Sequence, residues 1–373
     1  MKVLILGAGN AQIDAIDYCK EHGWTVYGCS YTNTDKGIPL LDHFKQVDIK
    51  DAEGIAAYAK EEAVDVVYSV GSDLAMPTVM KVSEMLNLPH FISHETAQIC
   101  QNKSKMRAAL GSDFRGNLPF AVVSSLEEAI TFDHFPAMMK PTDSQGQRGC
   151  YRVNSREDIE ENFEKSLGYS NEGRVILETF ISGPEISVNT YSAGGKLIFA
   201  IVSDRIVFDE FPGGIIKEHL IPSEFAGEET QKKAVDLAGR VIEKLKITDG
   251  PAYFQMKLED GEPYILEVTP RLDGCHMWNL INHYCGVNLL DMALQHLVSG
   301  KVPAVPEEKP GEPMKLAFMC EAPGKPYDRS KYDVSHADYI CWYYENEDIV
   351  RKLNGFMEKG GYRIEKRLAG LKK

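Results

Sequence analysis

The sequence predicts an α/β fold that begins with a doubly wound parallel sheet. Short apolar runs typical of strands alternate with stretches of helical spacing, and turns containing glycine follow two of the strands. Such alternation is typical of βαβ units, in which helices cover both faces of a parallel sheet. The predicted elements are strands at 2–6, 26–29 and 64–70, helices at 11–21, 52–62 and after residue 73, and a short extended piece at 89–92.

The first turn, Gly7-Ala8-Gly9-Asn10, does not predict a nicotinamide cofactor. A dinucleotide site needs a third glycine for close packing and an acidic residue after the second strand for the ribose. Gln12 occupies the place of that glycine, and no acidic residue ends strand 26–29. We therefore disfavour a dehydrogenase and interpret the turn as structural. Asp73 follows another predicted parallel strand and is either a helix cap or a substrate ligand.

Composition argues against several classes of function. The 373 residues are 43% hydrophobic and 26% charged, with a formal net charge of −14, which is unfavourable for contacts with nucleic-acid phosphates. No apolar run approaches the length of a membrane span, and the first residues lack the pattern of a signal peptide. The eight cysteines have no metal-type spacing and suit a reducing compartment. We expect a cytoplasmic protein without nucleic-acid or membrane partners.

A polar β-hairpin is the most informative stretch of the chain. Two apolar-rich runs, 252–258 and 264–268, flank Asp260-Gly261, which is a strong turn signal. A three-residue turn would set Gln255 opposite Glu267, whereas a two-residue turn would send Gln255 to the other face. We expect the three-residue turn. A carboxylate opposite a carboxamide suits Mg²⁺ on a polyphosphate, because this cation prefers oxygen ligands.

The second strand of the hairpin ends in Glu267-Val268-Thr269-Pro270-Arg271. This ending resembles that of the ATP-grasp ligases, which is usually Glu, a hydrophobic residue, Asn, Pro and Arg. The departure is Thr269, which stands in the Asn position. The resemblance implies that Gln255, Glu267 and Thr269 bind Mg²⁺ or Mn²⁺ and that Arg271 contacts the transferring phosphoryl group of ATP. A guanidinium suits this role because it can donate two hydrogen bonds as a fork.

Two lysines and a polar loop extend the resemblance. Lys103 begins a helical stretch, and Lys140 ends an apolar strand at 135–139, where its charge requires a neutralising anion. The glycine-containing loop after Lys140 can donate backbone N–H groups to phosphates. The resemblance implies that both lysines reach the nucleotide phosphates. It also implies further nucleotide contacts in the loop, in the connector beside adenine and at the ribose: Ser144, Gly146, Gly149, Glu178, Thr179, Ile181 and Glu185.

Candidates for the acceptor side follow from their positions relative to these motifs. Lys217 and His219 lie in an irregular charged stretch that related ligases place near the phosphates and the acceptor, and we treat both as catalytic candidates. Asp273, His276 and Trp278 follow Arg271 directly. They are candidates for the carboxylate or amine pocket, and Trp278 fits the core equally well.

The resemblance implies an ATP-grasp fold in three parts. The N-terminal parallel-sheet domain would span 1–98, and the nucleotide-binding and catalytic region 99–302, with a small lid at about 120–180. A Pro- and Glu-rich linker opens the last part, 303–373, which we expect to be a small C-terminal α/β appendix. Its predicted strands are 314–320 and 339–344.

Together these features predict an ADP-forming, ATP- and Mg²⁺-dependent carboxylate-amine ligase. The enzyme would activate a carboxylate as an acyl phosphate and transfer it to an amine, so its partners would be small-molecule substrates. A homodimer is left open. Two other functions also remain: a bicarbonate-using enzyme of the carboxylase or carbamoyl-phosphate type, and a non-catalytic nucleotide-binding protein.

Overall fold

The computed structural model describes residues 1–142, 149–211, 214–307, 309, 311–353 and 356–367. In this part of the chain the strands form sheets of four, eight and four strands. One hydrophobic core runs through the first and largest sheets, and a second core lies in the remaining small sheet. The predicted α/β class is confirmed. Within the described residues, no helix is both long and apolar enough to cross a membrane.

The first sheet has the predicted parallel arrangement. Its strands lie in the order β3-β2-β1-β4, and every pair is parallel. Sequence analysis missed β3 because three of its four residues are exposed, so it lacks an apolar run. The extended piece predicted at 89–92 is not a strand. The elements are β1 (Lys2–Leu6), α1 (Asn10–Glu21), β2 (Thr25–Ser30), β3 (His43–Gln46), α2 (Ala52–Glu61), β4 (Val66–Tyr68) and α3 (Met76–Leu86).

Two short helices lead from this sheet into a small antiparallel sheet. The small sheet has the order β5-β8-β6-β7 and coincides with the expected lid. Fully buried side chains such as Phe163 and Leu177 give it a core of its own. The elements are α4 (His94–Gln101), α5 (Lys103–Leu110), β5 (Phe120–Val123), α6 (Leu126–Ala129), β6 (Ala137–Pro141), β7 (Tyr151–Val153), α7 (Arg156–Leu167) and β8 (Val175–Thr179).

The largest sheet is antiparallel and has the order β13-β12-β9-β10-β11-β14-β16-β15. Helix α8 packs on it through an apolar stripe at helical spacing, as the sequence predicts. The elements are β9 (Glu185–Ala193), β10 (Lys196–Val207), β11 (Ile216–Ile221), α8 (Glu228–Lys244), β12 (Gly250–Glu259), β13 (Glu262–Thr269), α9 (Met277–Cys285), α10 (Leu289–Ser299), β14 (Met314–Glu321), β15 (Ala337–Trp342) and β16 (Glu358–Lys366).

The β12–β13 hairpin has the predicted pairing but a different turn. Its loop is the two residues Asp260-Gly261, both with positive φ (50° and 76°), rather than the expected three. A bulge directly after Gln255 then shifts the register by one residue, so that Gln255 still lies opposite Glu267. Both polar groups therefore point to the same face of the sheet.

The C-terminal part continues the largest sheet. Pairing of β11 with β14 joins it to the catalytic region, and β14, β16 and β15 follow in turn. In the described residues from 311 onward the structure has strands and a 3-10 turn, Arg329–Lys331, but no α-helix. The appendix is therefore all β in this range, in contrast to the α/β appendix that we expected.

Candidate active site

Three predicted site residues lie on one face of the largest sheet. Directly paired antiparallel residues share a face, and the register pairs Gln255 with Glu267 and Lys257 with Glu185. The Gln255 Nε2 donates to Glu185 Oε2 at 2.8 Å, and Arg205 Nη1 donates to the same oxygen. Sequence analysis missed Arg205. Its signal was available, because Arg205 is a charged residue within the largely apolar strand 196–207.

Lys103 joins this group from helix α5. The Lys103 ammonium lies 3.6 Å from the Glu267 carboxylate, which raises the pKa of Lys103. Asn102 fixes the start of the helix, because its side-chain oxygen accepts from Lys105 N at 3.1 Å. The predicted phosphate ligand and the predicted metal ligand are therefore neighbours.

Thr269 is compatible with the metal-ligand role. Its side chain is buried, and its hydroxyl has no hydrogen-bond partner among the residues that the structure describes. Buried hydroxyls are nearly always hydrogen-bonded in folded proteins, so one without a partner suits a contact to a metal ion or to a metal-bound water. With Gln255 and Glu267, Thr269 supplies an all-oxygen set of the kind Mg²⁺ prefers.

A buried ion triad lies beside the small sheet. Arg107, which is fully buried, donates to Glu178 Oε1 at 2.7 Å, and Lys140 Nζ contacts Glu178 Oε2. Burial alone would raise the pKa of Glu178, but Lys140 and Arg107 lower it to about 2. The anion that neutralises Lys140 is therefore a side chain of the protein. Sequence analysis missed Arg107, which lies one helical turn after Lys103 on α5.

We expect this triad to make stability depend on pH in the acid range. Glu178 has a pKa of about 2 when folded and an ordinary value of 4.5 when exposed. Because the folded pKa is the lower one, the stabilisation is complete above the ordinary pKa and is lost as pH falls from 4.5 towards 2. Urea midpoints measured between about pH 6 and pH 3 should therefore fall more steeply for the wild type than for Glu178→Gln. Equal slopes would contradict the paired carboxylate.

The end of β8 and the connector after it carry the residues that we expect beside adenine. The backbone N–H of Thr179 already donates to Pro119 O at 3.0 Å. The Thr179 carbonyl is therefore the backbone group with which this residue could contact a base. Ile181 is buried in the same connector. Gly183 passes so close to β12 that a Cβ there would lie 1.6 Å from the Leu258 carbonyl oxygen. A glycine is therefore required at this position.

The predicted phosphate-covering loop is described only at its end. Ser144 and Gly146 lie outside the described residues. Gly149 has a φ of +72°, and a Cβ there would lie 2.9 Å from the Tyr169 ring, so this residue must be glycine.

Arg271 is buried and forms a salt bridge with Asp73 of the first domain. Its Nε and Nη2 donate to the two Asp73 oxygens at 2.7 Å each. Burial opposes the charge of Arg271, but Asp73 raises its pKa above the ordinary value. Asp73 is not the helix cap, because α3 is capped at Ala75. A carboxylate thus occupies the fork that phosphoryl oxygens would also fit.

Two glycines allow this close approach between the first domain and the loop after Arg271. A Cβ on Gly71 would lie 2.6 Å from the Cα of Gly274, and Gly71 has a φ of +66°. His276 and Trp278 strengthen the same contact, because both donate to Asp14 of α1 at 2.6 Å. Among the candidates for the substrate pocket, these two therefore serve chiefly to hold the loop.

His219 lies in the buried interior, whereas Lys217 does not. Neither ring nitrogen of His219 has a hydrogen-bond partner within the described residues. Burial lowers the pKa of His219 to about 4, so the ring is neutral near pH 7. Lys217 is exposed, with its ammonium 5.8 Å from the Phe208 ring centre. The structure therefore does not bring Lys217 to the other candidates.

Part of the chain matches a known protein family. Residues 100–275 match the sequence model of the family described as ATP-grasp domain. Among curated proteins, the chain is 25% identical to the arginine-specific large chain of carbamoyl phosphate synthase from Neurospora crassa, over 66% of this chain and 22% of that protein. It is 23% identical to carnosine synthase 1 from Mus musculus, over 86% of this chain and 42% of that protein. The chain thus spans less than half the length of these relatives.

A solved structure shows the same fold. The L-amino acid ligase from Bacillus licheniformis superposes with a TM-score of 0.78 at 18% identity, covering 98% of this chain and 92% of that chain. This superposition covers the first domain and the C-terminal strands as well as residues 100–275. Taken with the match of residues 100–275 to the ATP-grasp domain model, it shows that the chain has the ATP-grasp fold.

Proposed function

We propose that the protein is an ADP-forming carboxylate-amine ligase. The observation that carries this proposal is the convergence of Lys103, Glu185, Gln255 and Glu267 on one face of the largest sheet, with Arg271 at the end of the same hairpin. Lysine, carboxylate, carboxamide and guanidinium are the groups that phosphoryl transfer needs, because its catalysis is mainly positioning and charge neutralisation.

In the proposed reaction a carboxylate oxygen attacks the γ-phosphorus of ATP and ADP leaves. An amine nitrogen then attacks the acyl carbon, phosphate leaves, and the amine gives up a proton as the amide forms. Arg271 would donate its remaining Nη N–H groups to the phosphoryl oxygens, and Asp73 keeps the guanidinium oriented. This chain would thus supply orientation and positive charge, without a covalent nucleophile.

The nucleotide would lie between the two antiparallel sheets. Lys103 and Lys140 would contact its phosphates, Glu185 its ribose, and the connector with Thr179 and Ile181 its base. The loop containing Ser144, Gly146 and Gly149 would cover the phosphates. Glu178 holds Lys140 in place through the buried triad. In this assignment Glu178 is a positioning residue.

Gln255, Glu267 and Thr269 would hold Mg²⁺ or Mn²⁺ at the phosphates. When bound, the ion would neutralise negative charge on the phosphoryl oxygens. Lys103, at 3.6 Å from Glu267, is placed to contact the same phosphate group. The pairing of Gln255 with Glu185 links the metal end of the site to its ribose end.

The partners of this site would be small-molecule substrates. We also propose that the protein is cytoplasmic. All eight cysteines are free thiols, and Cys19, Cys29 and Cys100 are buried in the core shared by the first and largest sheets. Free thiols suit a reducing compartment. A homodimer remains compatible with this assignment.

Mg²⁺-dependent release of ADP tests the proposal. Purified protein is assayed with amino acids singly and in pairs, with other small carboxylates, and with bicarbonate. We expect ADP to appear only when a carboxylate and an amine are both present. Release that needs bicarbonate instead would favour the carbamoyl-phosphate type of reaction, to which the Neurospora relative belongs by name. Bound ATP without release under any condition would contradict a ligase and favour a nucleotide-binding protein.

A further inference from the structure

A second group of buried polar side chains is not used by the proposed phosphoryl transfer. It comprises Arg205 on β10, His219 on β11, Asp273 and Cys275 in the loop after β13, and Lys359 on β16, and we call it the Asp273 cluster. These residues come from four separate segments, and they meet where the loop after Arg271 covers the sheet.

Several buried polar atoms of the cluster lack hydrogen-bond partners in the described part of the chain. The ligand atoms of His219, Asp273 and Cys275 all lie within 4.8 Å of one another. One Asp273 oxygen accepts from Cys275 N at 3.0 Å, but the other, like both ring nitrogens of His219, has no hydrogen-bond partner in the described part of the chain. Atoms this close can contact a single ammonium nitrogen, whose hydrogen bonds span about 2.7–3.2 Å.

The same cluster also contains two cationic side chains, Arg205 and Lys359. Arg205 binds Glu185 through Nη1 and the Gly214 carbonyl through Nη2, while its buried Nε has no partner among the described residues. Lys359 donates to Cys275 Sγ at 3.3 Å and lies over the Phe318 ring, 3.7 Å from its centre. Donors suited to an anion therefore lie beside acceptors suited to a cation.

The mixed charge helps to identify the ligand. A divalent metal ion on His219, Asp273 and Cys275 would lie next to Arg205 and Lys359, and like charges at such distances repel strongly away from water. A simple amine would leave Arg205 Nε unpaired, and a simple carboxylate would leave Asp273 unpaired. A ligand with an ammonium group and a carboxylate group attached to the same carbon would satisfy both sides.

We propose that the Asp273 cluster binds a zwitterionic α-amino acid, with the ammonium group on Asp273 and His219 and the carboxylate on Arg205 and Lys359. The proposal rests on the proposed ligase function, because the amino acid would be one of the two substrates of that reaction. It also gives the C-terminal strands a role, since Lys359 reaches the site from β16.

Calorimetric binding tests the proposal without turnover. Free amino acids are titrated into the wild-type protein, with and without a non-hydrolysable ATP analogue and Mg²⁺. The amino acid that binds best is then compared with its decarboxylated amine and with its deaminated acid. We expect both analogues to bind at least about tenfold more weakly, since each loses one charge-assisted contact. Equal binding of either analogue would overturn the proposal.

Two variants assign the two ends of the ligand, and a third serves as the control. Asp273→Asn should weaken the amino acid about tenfold or more while leaving the deaminated acid unchanged. Lys359→Met should weaken the amino acid while leaving the decarboxylated amine unchanged. Lys315→Met on β14, whose lysine pairs with Glu365 at 2.9 Å, is the matched control and should bind like the wild type. Affinity for the ATP analogue should be the same in all three, which shows that they are folded.

Other outcomes separate this inference from the proposed function. If ADP forms with a carboxylate and an amine but no α-amino acid binds or reacts, only the inference fails. If neither ATP binding nor ADP formation is observed, the proposed function fails, and amino-acid binding without nucleotide still decides the inference. Stoichiometric binding of Zn²⁺ alone that Asp273→Asn abolishes would identify a metal site and overturn the inference.

Discussion

Glu267→Ala is expected to reduce ADP formation by roughly a thousandfold or more, because losing several kcal/mol of charge stabilisation has an effect of this size. Glu267 lies opposite Gln255 and 3.6 Å from Lys103, so its loss removes the carboxylate from the metal site and the anion from the lysine. The carboxylate is half-buried and holds no core packing, so the fold should remain. The readout is kcat with the substrates found in the ADP assay, together with the thermal midpoint.

Glu262→Ala is the control for this variant. Glu262 begins the same strand, β13, and its half-buried carboxylate pairs with the more exposed side chains of Lys233 and Arg115. We expect the control to retain wild-type kcat and to lose little stability, because exposed ion pairs contribute little. Wild-type turnover by Glu267→Ala would contradict the assignment of Glu267 as a metal ligand. Equal losses of kcat in both variants would instead indicate damage to the hairpin.

Arg107→Met is expected to destabilise the protein by about 3–5 kcal/mol, the usual cost of removing one partner of a buried ion pair. Arg107 is fully buried and donates to Glu178 at 2.7 Å and to Asn117 at 2.9 Å. Methionine fills much of the space but leaves Glu178 with Lys140 alone. Urea unfolding at pH 7 measures the change in the free energy of unfolding.

Arg115→Met provides a matched surface comparison, since Arg115 pairs with Glu262 in solvent. Its expected cost is below about 1 kcal/mol. A loss of less than about 1 kcal/mol in Arg107→Met would show that the triad contributes little to stability. The triple variant Arg107→Met, Glu178→Met, Lys140→Met should recover part of the loss, because no member of the triad would then lack its partner.

The fold was largely predictable because its elements carry local signals. The parallel first sheet, the amphipathic α8 and the hairpin follow from periodicity and turn chemistry. The exposed strand β3 could not be found, because sequence periodicity reports burial and β3 has little of it. The two-residue turn was predicted wrongly, because a bulge elsewhere in the hairpin restores the register that a longer turn would have given.

The site was predictable in residue type but not in its contacts. The sequence shows that a charged residue lies at the end of an apolar strand. It does not show which residue of opposite charge forms the ion pair. Arg107 and Glu178 are separated by 71 residues, and Asp73 and Arg271 by 198. Only the packing of three sheets brings such pairs together. For the same reason the buried environment of His219 and the exposed position of Lys217 appear only in the folded chain.

The pairing of β11 with β14 bears on how the protein folds during synthesis. A ribosome releases the chain from its N-terminus, and domains generally fold as they emerge. Here β11, at Ile216–Ile221, has no neighbour on one side until Met314–Glu321 is made, and β15 must wait for β16 at Glu358–Lys366. The Pro-rich segment after residue 302 therefore does not separate two independent folding units, and the nascent protein exposes an open sheet edge at β11 until the residues of β14 have left the ribosome.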